Sequence, residues 1–311
     1  MEGRPLKPAR LKLADLESRC QKPDHRRIGN LFARRVSRPL ALRITWVMQP
    51  YGLSAHIVTL IAWTTGLVAA VSFGWGNPWG WFCGAALMQL WYLLDHVDGQ
   101  LARLHGAASL DGAQLDYLMH HTMNLALPYG IGFGLFVATD GRLWLLVGLI
   151  WGVALLLVGL QHDARYKTFI QRLKRVQGEL RVIGGGGDHP EPPSKMPRRM
   201  VPLCVWLARK SCEPHVLLNL LSVLALVMWL GDDWHLVVAQ FFVPVLGLAA
   251  GIVATATLYR SVNGEQAERE FAAWYRTDQD EELIFDDGWW HVRSTQAGHS
   301  DDLATKKGRA G

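Results

Sequence analysis

Apolar runs broken by charged and turn-rich stretches set the pattern of this chain. A helix that crosses a bilayer needs roughly 20 mostly apolar residues, with some latitude for tilt and interfacial anchors. The stretches Ile57–Phe73, Trp79–Leu94, Leu115–Thr139, Leu143–Leu160, Val216–Leu230 and Leu236–Tyr259 meet that need. They predict an all-α fold: a polytopic membrane helix bundle of about six transmembrane helices. The second and fifth stretches are short and extend into their flanks. Ahead of the first, Ile28–Met48 mixes Arg with Leu, Phe, Ile and Trp at roughly helical spacing, which predicts an amphipathic helix lying in the membrane interface. A solvated basic arm is the alternative. The expected organisation is a basic N-terminal segment over 1–50, a six-helix transmembrane domain over 51–260 and a cytoplasmic, partly disordered C-terminal tail over 261–311.

Charge gives the bundle a direction. Lys and Arg crowd the stretches Arg4–Arg43 and Arg165–Lys210, whereas the links Gly74–Pro78 and Gly231–His235 carry none and Asp140–Arg142 carries one. Cytoplasmic connections hold the excess of basic residues, so both termini and the connection around Arg103 are expected on the cytoplasmic side of a multi-pass integral membrane protein. Trp46, Trp79, Trp144 and Trp234 fall at segment edges, where indole rings sit at headgroup level. Cys20, Cys83, Cys204 and Cys212 show no CxxC pairing and no His at ligand spacing, which argues against a disulfide framework or a zinc knuckle. The basic N-terminus runs too long before any apolar stretch for a cleavable signal peptide. Gly184–Gly187 lacks a following Lys-Ser or Lys-Thr and neighbours Pro190, Pro192 and Pro193, so it reads as a linker and not as a phosphate loop. The tail after Gly264 is helix-like, then acidic around Asp278–Asp287, then polar, with its last part expected to be disordered.

Chemistry concentrates between the second and third spans, where Leu93–His121 reads LLDHVDGQLARLHGAASLDGAQLDYLMHH. A charge within the bilayer costs at least a few kcal/mol unless it is paired, hydrated or metal-bound, so intramembrane acids are functional candidates. Asp95 and Asp98 stand three apart on one helix face, and Asp116 and His120 four apart on the next helix, so the two faces can converge. Asp95 and Asp98 also sit near a helix C-terminus, which is unfavourable for anions and calls for a compensating cation. Arg103 is one candidate, and an ion-pair network with it is the purely structural alternative. Three carboxylates and a nearby imidazole suit hard divalent ions, Mg²⁺ or Mn²⁺, better than zinc. A pair of such ions is the recurrent solution for phosphoryl chemistry. Gly99, Ala102, Gly106 and Gly112 permit close approach of a ligand, and Ser109 offers a hydroxyl to a phosphate oxygen.

The register Asp98-Gly99, two residues, Ala102-Arg103, eight residues, Gly112, three residues, Asp116 resembles the signature of the CDP-alcohol phosphatidyltransferase family, and Asp95 matches its preceding aspartate. The resemblance extends over roughly Arg38–Tyr259. It implies that Asp95, Asp98 and Asp116 bind metal, that Gly99, Ala102, Arg103, Ser109 and Gly112 surround the CDP moiety, and that a fourth aspartate binds metal and takes the acceptor's proton. That fourth position here is His120. An upstream Pro-Asn-x-x-Thr element common in the family survives only as Ala55-His56-Ile57-Val58-Thr59, from which Thr59 joins the nucleotide set, a structural role for Thr59 and His56 being the alternative. A neutral imidazole has a pKa of about 6.5, suited to proton transfer near neutral pH. His120 is therefore assigned as base and grouped with the metal residues, with its metal contact expected to be weak or absent. His121, about 100° away around the helix, is the poorer choice.

The resemblance implies transfer of a phosphatidyl or phospho-alcohol group from a CDP-linked donor, CDP-diacylglycerol by analogy, to an alcohol acceptor in phospholipid synthesis. Membrane lipid and, by family analogy, a second copy of the chain are the expected partners; nucleic acid is not. A silent relative acting as a binding or scaffold protein, with His120 merely packed, is a second class. A transporter with a carboxylate relay is a third, for which the chain lacks the internal repeats.

Overall fold

A computed structural model describes residues 11–21, 26, 30–106, 109–182, 196–230, 235–276 and 281–294. In chain order come α1 (Leu13–Cys20), a π-helical turn (Ala33–Ser37) leading into α2 (Arg38–Met48), α3 (Ala55–Phe73), α4 (Pro78–Leu104), α5 (Leu110–Thr139) and α6 (Leu143–Leu173). Then follow β1 (Val176–Gln177), β2 (Arg181–Val182), α7 (Met200–Ser211), α8 (Pro214–Leu230), α9 (His235–Asn263), α10 (Gln266–Trp274), β3 (Tyr275–Arg276), β4 (Glu281–Asp286) and β5 (Trp289–Ser294).

The helices that carry the site begin at side-chain caps. Ser54 Oγ accepts from the Ile57 N–H at α3, Asn77 Oδ1 from Gly80 at α4 with Pro78 in the first turn, and Ser109 Oγ from Gly112 at α5. Each satisfies an N–H that the helix itself leaves open. Four helices are long and apolar enough to cross a membrane: α3, α5, α6 and the Leu236–Asn263 part of α9. A fifth span arises if α7 and α8, bent by 87° at their junction, count as one. The chain is an integral membrane helix bundle, and six is an approximate count. The apolar part of α4 is the stretch that falls short: Gln89 and Tyr92 dilute it, and Asp95, His96 and Asp98 follow directly on Leu94.

One unit comprises residues up to 159 together with 193–254. In it α3 packs closely against both α4 and α5. The α3–α5 contact depends on missing side chains: a Cβ on Gly130 would be driven into the Ala70 carbonyl, and one on Gly134 into that of Phe73. Such small-residue contacts let helix backbones approach within a bilayer. Phe73 and Trp81, both fully buried, meet edge to face at 5.2 Å. α8 lies on α4, where Gln89 Nε2 donates to Asn219 Oδ1 (3.3 Å) and Ser222 Oγ (2.9 Å). The Ile28–Met48 stretch is helical from Leu31 onward, and α2 buries Ala41, Leu42 and Thr45. Leu16 and Cys20 of α1 form a small cluster with Leu42, joined by Trp46 and Leu104. Burial pushes the Cys20 thiol up to about 11, so it packs as a neutral group. All four cysteines are free.

The other unit comprises 160–192 and the residues from 255 on. Here β4 and β5 pair antiparallel from Glu281↔Ser294 to Asp286↔Trp289, closed by Asp287 and Gly288 at φ 47° and 82°, the positive values a two-residue hairpin turn requires. β1 adds parallel to β5, and β2 pairs with β3. Arg172 makes a bidentate bond to Glu268 while its guanidinium lies 4.8 Å from the Phe271 ring and 4.1 Å from that of Trp290. That bond holds the Glu268 carboxyl below the usual carboxylate range. The hairpin's first strand falls within the stretch that the sequence marks as acidic. The sequence signal for it is short: the apolar run Leu283–Phe285, an Asp-Gly turn, and Trp289 and Trp290 after it. The Gly184–Gly187 linker, Trp234 and the end of the tail lie outside the described residues.

Candidate active site

The carboxyl end of α4 and the first turns of α5 meet at one cavity of about 730 Å³. Asp95 and Asp98 reach it from α4, Asp116 and His120 from α5, and Thr59 from α3. The His120 ring stands edge-on to Trp91, with centroids 5.3 Å apart, which sets its orientation. Its Nε2 lies 3.1 Å from Asp95 Oδ1 and 3.4 Å from Asp116 Oδ1. One ligand atom from each of these three residues falls within 4.8 Å of the others, so two oxygens and a nitrogen from adjacent helices could hold a divalent cation. Two carboxylates brought this close also need positive charge between them. The donor chemistry therefore fits Mg²⁺ or Mn²⁺.

Asp98 sits differently. Only 8% exposed, it accepts a 2.7 Å hydrogen bond from Thr59 Oγ1 and stands outside the Asp95–Asp116–His120 trio. Thr59, which the sequence placed with the nucleotide, thus touches a carboxylate of the expected metal set. His120, expected to have little metal contact, is the residue whose nitrogen joins the trio.

Gly99, Ala102, Arg103, Ser109 and Gly112 all line the same cavity. Ser109 also caps α5, its Oγ accepting from Gly112 N at 3.1 Å. At Gly112 a Cβ would come within 3.2 Å of His56 Nε2, so the glycine leaves room for that ring. Every residue singled out for metal, nucleotide or proton transfer therefore borders one space; Gly106, expected to permit a ligand's approach, does not line it. Sequence reasoning missed others on its wall: Gln21, Arg38, His96 and Gln100. His96 follows Asp95 directly, and its Nδ1 lies 2.9 Å from the Tyr92 carbonyl; a carbonyl only accepts, so that nitrogen carries a proton. Gln100, 1% exposed, accepts from Thr45 Oγ1 (2.9 Å) and donates to the Arg38 carbonyl (3.3 Å), tying α2 to the cavity's edge. Its place inside the Gly99–Arg103 motif was the available signal.

A membrane helix bundle whose acids and imidazole converge beside a glycine-containing wall presents a candidate divalent-metal site. Residues 53–176 match the family model of the CDP-alcohol phosphatidyltransferases, and that stretch contains Asp95, Asp98, Asp116 and His120. Among solved structures, the chain is similar to Mycobacterium tuberculosis phosphatidylinositol phosphate synthase with CDP-DAG bound, at 20% identity and a TM-score of 0.43 over 72% of this chain and 94% of that one. The same enzyme in apo form matches at 18% identity and 0.43 over 70% and 95%, and in complex with manganese and citrate at 20% and 0.42 over 70% and 88%. Comparison with curated protein sequences found no match.

Proposed function

We propose that this protein transfers a phosphatidyl or phospho-alcohol group from a CDP-linked donor, CDP-diacylglycerol in our reading, to an alcohol acceptor, with release of CMP, on the cytoplasmic side of the membrane. The observation that carries the proposal is the meeting of Asp95, Asp116 and His120 in the cavity that the Gly99–Gly112 motif also lines.

Asp95, Asp98 and Asp116 would hold the metal, a pair of ions in our reading, leaving the lone pair of His120 Nε2 uncoordinated and available to a proton; bound there, Mg²⁺ or Mn²⁺ would supply positive charge against the donor's diphosphate. Arg103 adds a fixed cationic fork and Ser109 a hydroxyl. Gly99, Ala102 and Gly112 keep the wall low enough for the phosphates to approach the backbone. The acceptor hydroxyl attacks the phosphorus that bears the group to be transferred. Its oxygen bonds to that phosphorus as the bond to the CMP oxygen breaks, and its proton passes to His120 Nε2. The imidazolium so formed lies beside Asp95 and Asp116, which stabilise it. Holding the reactants in line supplies much of the remaining acceleration. The homodimer expected by family analogy belongs to the same reading.

The departure at position 120 favours one other reading, a silent relative that binds without turnover. CMP release by the purified protein with Mg²⁺ or Mn²⁺, across a panel of CDP donors and alcohols, separates the two. Metal-dependent CMP release that is lost in Asp116→Ala supports the transferase. No release with any pair of substrates, in protein that still binds CDP, favours the silent relative.

A further inference from the structure

Arg103 enters the cavity from the last turn of α4, and its guanidinium is tied to a segment outside residues 53–176. Its Nε donates to the backbone carbonyl of Cys20, the last residue of α1, at 2.5 Å. Its Nη1 and Nη2 lie 3.4 and 3.5 Å from where a side chain on Gly99 would begin, over the wall next to Asp98. A guanidinium is a rigid planar fork, so fixing the direction of Nε–H also fixes the direction in which the other N–H groups face.

The Cys20 carbonyl is itself held. Cys20 is fully buried, and its Sγ–H donates to the Leu16 carbonyl at 2.8 Å. Leu16, equally buried, packs in the cluster with Leu42, Trp46 and Leu104. The start of the segment is pinned twice: Trp46 Nε1 donates to the Leu11 carbonyl at 2.9 Å, and the Leu11 N–H donates to Gln49 Oε1 at 3.2 Å. Gln21, the next residue after α1, lines the cavity itself.

We infer that α1 is a positioning element for the donor nucleotide: by holding Arg103 Nε at the Cys20 carbonyl, it aims the remaining guanidinium N–H groups at the diphosphate of a CDP-linked donor. This rests on the reading of the cavity as a CDP site and adds to it a role for a helix outside the matched domain. A diphosphate presents oxygens that a fork can meet two at a time, and such paired charge-assisted bonds depend on direction more than a point charge does. A fork already oriented avoids the ordering cost that a loose arginine meets on binding.

The test is CDP binding, in the presence of Mn²⁺, to the full-length detergent-purified protein by isothermal titration. Leu16→Glu places a carboxylate on the buried face of α1 and releases the helix, Trp46→Phe removes the bond to the Leu11 carbonyl while keeping an aromatic ring, and Arg103→Lys keeps the charge without the fork. Leu16→Glu and Arg103→Lys should each weaken CDP binding about tenfold, the double variant should bind no more weakly than Arg103→Lys alone, and Trp46→Phe should fall between wild type and Leu16→Glu. Mn²⁺ affinity should be unchanged in Leu16→Glu. If that variant loses Mn²⁺ as well, Trp46→Phe, alone and combined with Arg103→Lys, decides by the same criteria. CDP bound as tightly by Leu16→Glu as by wild type, or a Leu16→Glu effect that persists in full in the Arg103→Lys background, overturns the role of α1 and leaves the cavity's function standing. Wild-type protein that binds no CDP overturns both.

Discussion

His120 stands where the family's signature has its fourth aspartate, and its Nε2 falls within hydrogen-bond reach of Asp95. Replacing it with alanine removes the proposed proton acceptor and should lower CMP release by about 10²–10⁴-fold, the usual worth of a general base, while His120→Asp should recover part of the loss. Steady-state turnover at saturating donor checks both. Thr59→Val removes the donor to a buried carboxylate at nearly constant volume, and should cost about 1.5–3 kcal/mol of stability. The denaturation midpoint of the detergent-solubilised protein reads that cost. The acids were legible at this scale because helix periodicity alone puts Asp95 with Asp98 and Asp116 with His120. The partition among them was not. Asp98 turns to Thr59, 39 positions away in the chain, and no spacing rule along one helix shows such a partner.

Helices are placed by caps and by missing side chains. Gly134→Val should force α5 away from the Phe73 carbonyl of α3 and destabilise the protein by about 1–3 kcal/mol or more, as overpacking does. Gly251→Ala, with nothing within 4 Å of the added Cβ, should be neutral or slightly stabilising. Thermal unfolding of the two variants side by side checks the difference. Ser54, Asn77 and Ser109 cap their helices within three residues of the N–H each satisfies, a local signal that the hydropathy pattern alone does not use. Other elements were harder to read. α4 continues ten residues past Leu94, its polar last turns forming the wall of the cavity, so a hydropathy window ends it too early. The stretch Met200–Ser211 is a helix bent by 87° from α8, where the sequence reading began a span only at Val216. The β4–β5 hairpin pairs strands too short to rise above the acidic composition around them.

For the whole molecule, the asymmetry of basic residues predicts which connections face the cytoplasm. In a cysteine-free background that retains activity, single cysteines at Gly106 and Asn263 should react with a membrane-impermeant maleimide only from the cytoplasmic face, and one at Asp140 only from the opposite face. Labelling of intact cells against inverted vesicles reads this directly, and the reverse pattern would put the cavity on the wrong side of the membrane for a soluble cytoplasmic nucleotide product. The sides could be argued from sequence because the basic-residue bias depends on composition alone. The joining of α1 to the cavity could not, since Cys20 and Arg103 meet only through tertiary packing.

The account turns on whether the acids at the α4–α5 junction hold a divalent ion independently of the residue proposed to take the proton. Mn²⁺ titration followed by electron paramagnetic resonance, on wild type, Asp116→Ala and His120→Ala, measures that most directly. Stoichiometric binding by wild type and His120→Ala, with binding abolished or weakened by at least about tenfold in Asp116→Ala, is the expected result. Mn²⁺ held equally well by Asp116→Ala, or not held by wild type at all, would contradict it.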